Sequence, residues 1–317
     1  MDIEWREILR HVCTRWLSLY PAVERLLQSW PAITAYFRSL GEACPVALRK
    51  IFADDVDKAA TAEIYLCFFQ NVGVVFDKLV KRLEETQLCI PDVYEEIRKF
   101  IERMQQRKDD SFYGFQTRQL MDKLLPAEKA KVKVDFTKFC TTVISYIGKW
   151  FDLSANNVMM KLRPIGLFEK LKFSDLEEVA AALKLTDTLD MDSLYEEFCA
   201  SQEAIETARQ DQQKSTSEKW VSVFHKVGKV NLTNLFQIVS FVLSVPGSNA
   251  FVERIFSHMA NKWSDARNRC STNLIKSELQ ISVNMNMPCK DLFLAVQKDK
   301  ELLGAVKSSK KYPWKNK

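Results

Sequence analysis

The chain reads as an all-α protein: an elongated multi-helix body followed by a C-terminal group of helices, with little or no β-sheet. Three observations predict this. Glycine (8) and proline (9) are scarce across 317 residues, at ~3% each against usual frequencies of ~7% and ~5%. Sheet-rich folds depend on tight turns built from these two residues, so their scarcity favours long helices joined by few loops. Apolar residues recur at three- and four-residue intervals through most of the chain. A hydrophobic content of 47% beside 27% charged residues is a globular balance with ample material for a core.

The elements follow in order. Trp5, Ile8, Leu9 and Val12 share one helical face, and Val23, Leu26, Leu27 and Trp30 a second. Pro21 and Pro31 suit the opening turn of a helix, where no backbone donor is needed. A long helix is predicted over 57–85, with Ile64, Phe68, Val72, Phe76, Leu79 and Leu83 in one stripe. Pro91 breaks that pattern. Val93, Ile97, Phe100 and Met104 mark the next helix, which is expected to give way to a polar loop at 106–111. Val132, Phe136, Phe139, Val143, Ile147 and Trp150 place another helix over 127–152. Ser174 and Glu177 have capping-box spacing ahead of Leu176, Val179, Ala180 and Leu183.

The stretch 206–219 is polar and nearly devoid of bulky apolar residues, so 206–229 is read as a helix end running into a linker. Beyond it, Leu235–Leu243 is densely apolar, a helix that Asn231 or Thr233 would cap. Pro246, Gly247, Ser248 and Asn249 form a turn. Val252, Ile255, Phe256, Met259 and Trp263 then line one face of a second helix, and Ser271 or Thr272 caps a third over Leu274, Ile275, Leu279 and Met285. The predicted organisation is a helical body over 1–205, a linker over 206–229, association helices over 230–290, and a short helix with a basic tail over 291–317. The three C-terminal helices hold more apolar residues than one small bundle needs. They are therefore expected to pack on a partner, either the upstream domain or a second subunit.

The net charge of +5 is unevenly placed. Residues 218–317 carry 16 Lys and Arg against 7 Asp and Glu, while the rest carries 30 against 34. A basic third of this kind attracts nucleic acid electrostatically, or forms a solvated surface with a basic tail. The eight cysteines contain no C-x-x-C pair and only three histidines accompany them, which excludes zinc-finger spacing and a small disulfide framework. Cys67, Cys140 and Cys199 fall within apolar stripes as small hydrophobes, and a reducing intracellular compartment is expected. The amphipathic, charged start is not expected to be a signal peptide, and the apolar runs are read as too short for a membrane span. No glycine-rich phosphate loop is present. His258 stands five residues after Glu253, outside the three- or four-residue relation of a ligand pair on one helix face. No cofactor, metal or small-molecule ligand is expected.

The C-terminal block resembles a known family. The run from Leu235 to Ser257, with Pro246, Ser248, Ala250, Glu253, Arg254, Phe256 and Ser257, is similar to the C-terminal signature of the hAT transposases: an apolar helix, then Pro-x-Ser-x-Ala-x-x-Glu-Arg-x-Phe-Ser. Downstream, Arg267, Asn268, Arg269, Cys270 and Ser271 resemble that family's Arg-Asn-Arg-Leu-Ser element. Near the start, Thr14, Arg15, Trp16, Leu17 and Ser18 resemble the Thr-Arg-Trp-Asn-Ser motif that opens the family's helical insertion, with Leu17 in place of asparagine. The motifs bracket nearly the whole chain.

The resemblance implies a C-terminal dimerisation region, a nuclear location, and partners that are a second copy or related hAT-derived proteins. It also implies a ribonuclease-H-like catalytic sheet bearing two aspartates and a glutamate around divalent metals. A two-metal site needs several carboxylates converging on both metals. Glu253 matches the family glutamate, but only thirteen residues precede Thr14, so the sheet and its aspartates are expected to be missing and the chain to be no enzyme as it stands. Glu253 then reads as an acid favoured by the dipole of its helix N-terminus. The dimer face is expected from Leu235, Phe236, Val239, Val242, Val252, Ile255, Phe256, Met259, Leu274 and Leu279. Arg254, Arg267 and Arg269 are candidates for phosphate contacts, or equally for ion pairs with Glu253 or Asp265. The alternative function is a DNA-binding or transposase-like protein of which this chain is a truncated part, with weak nucleic-acid binding.

Overall fold

A computed structural model describes residue 9 and residues 18–52, 56–85, 88–264, 267, 270–284 and 287–308. The fold is all-α, as the turn-poor composition predicts: no strand is present among the described residues beyond an isolated antiparallel bridge between Cys89 and Pro246. Trp5, Ile8, Val12, Arg15 and Trp16, with the rest of the Thr-Arg-Trp motif before Ser18, lie outside the described residues, as do Asp265, Arg269, Met285 and the basic tail. The chain divides into two compact units, Met1–Asn249 and Ala250–Lys317.

The first unit holds twelve helices among its described residues. α1 (Leu19–Gln28) and α2 (Trp30–Ser39) each carry a proline in the first turn, and α3 (Val46–Phe52) follows. Trp30 and Phe52 are buried with Ala59, and the Phe37 ring stacks on Phe52 at 5.2 Å. α4 (Val56–Leu83), α5 (Ile90–Asp109), α6 (Phe115–Met121) and α7 (Pro126–Trp150) surround a second core. At its centre Phe68 and Phe136 stack with ring centroids 3.9 Å apart, and Ile64, Val72, Ile97 and Met104 close around them. Segment Ala59–Leu83 of α4 is long and apolar enough to span a membrane, contrary to the expectation that every apolar run is too short. Its apolar stripe is accounted for by packing: Ile64, Phe68, Val72 and Leu79 are buried against α5, α6 and α7.

α8 (Val158–Lys161), α9 (Phe173–Ala182), α10 (Met191–Gln210), α11 (Thr216–Val227) and α12 (Thr233–Ser244) enclose a third core around Leu162, Leu176, Leu194, Trp220 and Leu235. Four expectations fail in the second and third cores. The polar segment 206–229 is not a linker: α10 runs through Gln210, α11 begins at Thr216, and Ala208, Trp220 and Val223 are buried. Only one face of each helix needs to be apolar, and the buried face is made of spaced alanine, tryptophan and valine residues, not of a run of bulky ones. The loop expected at 106–111 is likewise helical as far as Asp109: Gln106 and Asp109 face solvent, and the half-buried Arg107 bonds to Asn71. α9 opens earlier than expected, with the Asp175 carboxylate rather than Ser174 closing the first turn by accepting from the Lys172 backbone N–H at 2.8 Å. Cys67 and Cys140 are buried as read, but Cys199 is exposed.

The second and third cores meet along the N-terminal turns of α5. Asp92 and Glu95, both buried there, bond to Thr216 and Arg163 respectively.

The second unit holds α13 (Ala250–Lys262), α14 (Thr272–Asn284), α15 (Cys289–Lys298) and α16 (Lys300–Lys307) among its described residues. α13 packs with α14, and α15 with α16. Where one short helix was expected after 290, two form, separated by Asp299, whose side chain caps α16 by accepting from the Leu302 N–H at 2.9 Å.

Candidate association surface

The helix expected to begin the association face, α12, lays one side into the third core, although Phe241 on it is 46% exposed. Leu235, Val239 and Val242 are buried there with Ile238, and Phe236 is half-buried with its ring edge-on to Phe224 at 5.1 Å. A side chain covered within its own chain offers no area to a second copy. Leu235, Val239 and Val242 therefore belong to the core, although their helix has the apolar density of an interface.

The N-terminus of α12 is capped from another helix. The Glu197 carboxylate accepts from the backbone N–H of Asn234 at 3.0 Å and of Leu235 at 2.7 Å, and from the Asn234 side-chain amide at 2.9 Å. Neither Asn231 nor Thr233 does this work: the Asn231 amide bonds the Val227 carbonyl, and the Thr233 hydroxyl the Val230 carbonyl. The first unit ends in the Pro246–Asn249 turn, where the Gly247 N–H donates to the Leu88 carbonyl at 3.0 Å.

In the second unit the exposure reverses. Val252 and Phe256, on one face of α13, and Trp263 just beyond its end are 47%, 58% and 41% exposed, while Ile255 and Met259 are half-buried. On α14, Leu274 and Ile281 stand seven residues apart on one face and are both exposed, Leu279 is half-buried, and Ile275 alone is buried. α15 adds Leu292, Phe293 and Leu294 in succession, all exposed. The sequence reading missed Ile281 and these three. An uninterrupted apolar run in so short a helix was the available signal, since at least one of three consecutive residues must face away from any single supporting layer.

Several expected residues find separate places. Glu253 lies in the first turn of α13 and is exposed, where an acid complements the helix dipole. Among the described residues no three potential metal ligands cluster. Arg267 donates to Glu278 from both terminal nitrogens, at 3.2 and 2.6 Å, and Lys262 adds a longer contact to the same carboxylate. Those charge-assisted bonds hold the Glu278 carboxyl below its ordinary pKa. Arg267 thus takes the ion-pair alternative, with Glu278 in place of the two acids considered. Arg254 is engaged within the protein, and Arg269 lies outside the described residues.

No family model, curated protein or solved structure matches this chain.

Proposed function

We propose that the chain is a protein-association module that pairs with a second copy of itself through its second unit, without a catalytic site of its own. One observation carries this reading: among the described residues of Ala250–Lys317 a single side chain, Ile275, is buried, while Val252, Phe256, Leu274 and Ile281 are exposed on neighbouring helices. A unit of this size gains too little from so small a core to hold its helices in place. Burying the exposed stripes of α13 and α14 against the same stripes of a second copy supplies the missing core, and twofold pairing is the commonest way that identical chains do so. The resemblance of this block to the hAT dimerisation region supports the same assignment. Glu278, paired with Arg267 and Lys262, lies between Leu274 and Ile281 on the same face of α14, so these ion pairs border the apolar stripe.

Size-exclusion chromatography with light scattering tests the proposal directly. A dimer at micromolar concentration that becomes a monomer in Phe256→Ser supports it. A monomer at every concentration up to 100-fold higher removes it.

The basic balance of residues 218–317 favours a second reading, DNA binding. Retention on duplex DNA at low salt, falling steeply as salt is raised, is its signature. The pairing of Arg267 with Glu278 takes one of the three candidate phosphate contacts out of that reading.

A further inference from the structure

Arg107, near the C-terminal end of α5, is half-buried, yet no carboxylate pairs with it among the described residues. Its Nη1 donates to the neutral Asn71 side-chain oxygen at 2.5 Å, and its guanidinium lies 5.5 Å from the centre of the Phe112 ring. Burial pushes the guanidinium below its ordinary pKa. Arg103 stands one helical turn earlier, and both arginines line a cavity of about 370 Å³ with Val75, Gln106, Asp110 and Phe112. A third guanidinium, from Arg118, lies 5.7 Å from the same Phe112 ring.

Like charges four residues apart on a helix repel, and a partly desolvated cation without a counter-charge is unfavourable. A bound anion offsets both. We propose that this cavity binds a small organic phosphate monoester, held through its phosphate by Arg103 and Arg107. Two guanidinium forks and the Gln106 amide present more donors than the two oxygens of a carboxylate can use, whereas a phosphate offers three strong acceptors. The volume lies within the ~300–1,000 Å³ of ordinary ligand sites, so an organic body fits beside the phosphate, against Val75 and Phe112. Asp110 lines the same cavity and opposes an anion there, so the two guanidinium groups must supply the attraction.

Isothermal titration of the full chain with inorganic phosphate, adenosine monophosphate and adenosine tests the site. The expected result is binding of the two phosphate-bearing probes, the monophosphate more tightly, and none of adenosine. Arg103→Gln weakens both at least tenfold; Arg103 is exposed, and an unchanged thermal transition shows that this variant folds. Arg107→Lys, which keeps the charge and loses the planar fork, weakens them too. Three results overturn the proposal: no heat from either phosphate-bearing probe at millimolar concentration, affinity unchanged in Arg103→Gln, or adenosine binding as tightly as its monophosphate.

Discussion

The Thr216 hydroxyl donates a 2.6 Å hydrogen bond to Asp92 across 124 residues of sequence, and both side chains are buried. The same carboxylate accepts from the Cys89 backbone N–H at 3.2 Å and from the Cys89 thiol at 2.9 Å. Asp92 thereby closes the first turn of α5 and fastens it to the first turn of α11, so one residue joins two hydrophobic cores. Burial, reinforced by the Asp92 charge, pushes the Cys89 thiol far above its ordinary pKa and keeps it a donor.

Removing the Thr216 donor leaves part of a buried carboxylate unsatisfied, which costs about 1–3 kcal/mol. Thr216→Val is therefore expected to lower unfolding stability by that amount in urea titration. Asp92→Asn is expected to destabilise as well, and the double variant by less than the sum, because the two changes remove one shared bond. Strict additivity would show that the bond does not couple the cores.

Glu95 gives the junction a pH dependence. Burial pushes its carboxyl upward in pKa, but hydrogen bonds from Arg98 and Arg163, at 2.8 Å each, outweigh burial and hold it down at about 2. A carboxylate whose folded pKa is depressed contributes stability that is complete above its unfolded value, ~4.3, and is lost as pH falls toward the folded value. Stability should thus decline between about pH 5 and pH 2, with Glu95 supplying on the order of 3 kcal/mol of the loss. Glu95→Gln is less stable than the parent at pH 7, and the gap narrows over that acid range. Parallel pH profiles for the two proteins would assign the acid sensitivity to other groups.

The helices were legible in sequence wherever one face carries large apolar residues at helical spacing. α4 and α7 fall within two residues of their predicted bounds. The misreadings share a cause: sequence displays a helix's own residues but not its neighbours. α11 looked like linker because its polar residues are many, yet its buried side is anchored by Trp220, whose indole N–H donates to the Ile165 carbonyl at 2.7 Å. The cap of α12 comes not from a residue beside it in sequence but from Glu197, 38 residues before Leu235. The association face was placed partly on α12 for the same reason, since apolar density cannot distinguish a core helix from an interface helix. The stripe from Val252 to Trp263 is visible in the sequence, but its exposure depends on what packs against it, which sequence spacing does not show.

Gly247 marks a close approach of the last turn of the first unit to the start of α5. A Cβ there would meet the Leu88 carbonyl oxygen at 2.5 Å and Val93 Cγ2 at 2.8 Å. The backbone oxygen cannot swing aside as a flexible side chain would, so the bond from the Gly247 N–H to Leu88 must open. Gly247→Ala is expected to lower stability by about 1–3 kcal/mol, the usual range for overpacking. Loss of hydrogen-exchange protection should centre on the amide of residue 247. Full protection in the variant would mean that the turn adapts without opening.

Leu235 and Phe256 separate folding from association, although both stand in apolar helices of the same C-terminal block. Leu235 is buried in the third core, so Leu235→Ala leaves a cavity and is expected to cost about 2–5 kcal/mol of unfolding stability. Phe256 is 58% exposed, so Phe256→Ser takes little from the folded chain itself. If the second unit pairs two copies, the parent's melting temperature rises with protein concentration, since association stabilises the folded state by mass action. Leu235→Ala should melt lower at every concentration but keep that slope. Phe256→Ser should flatten the slope while melting near the parent's low-concentration limit. A slope that survives Phe256→Ser and disappears in Leu235→Ala would place the association surface on α12 after all, and would require that helix to leave the core in which it is buried.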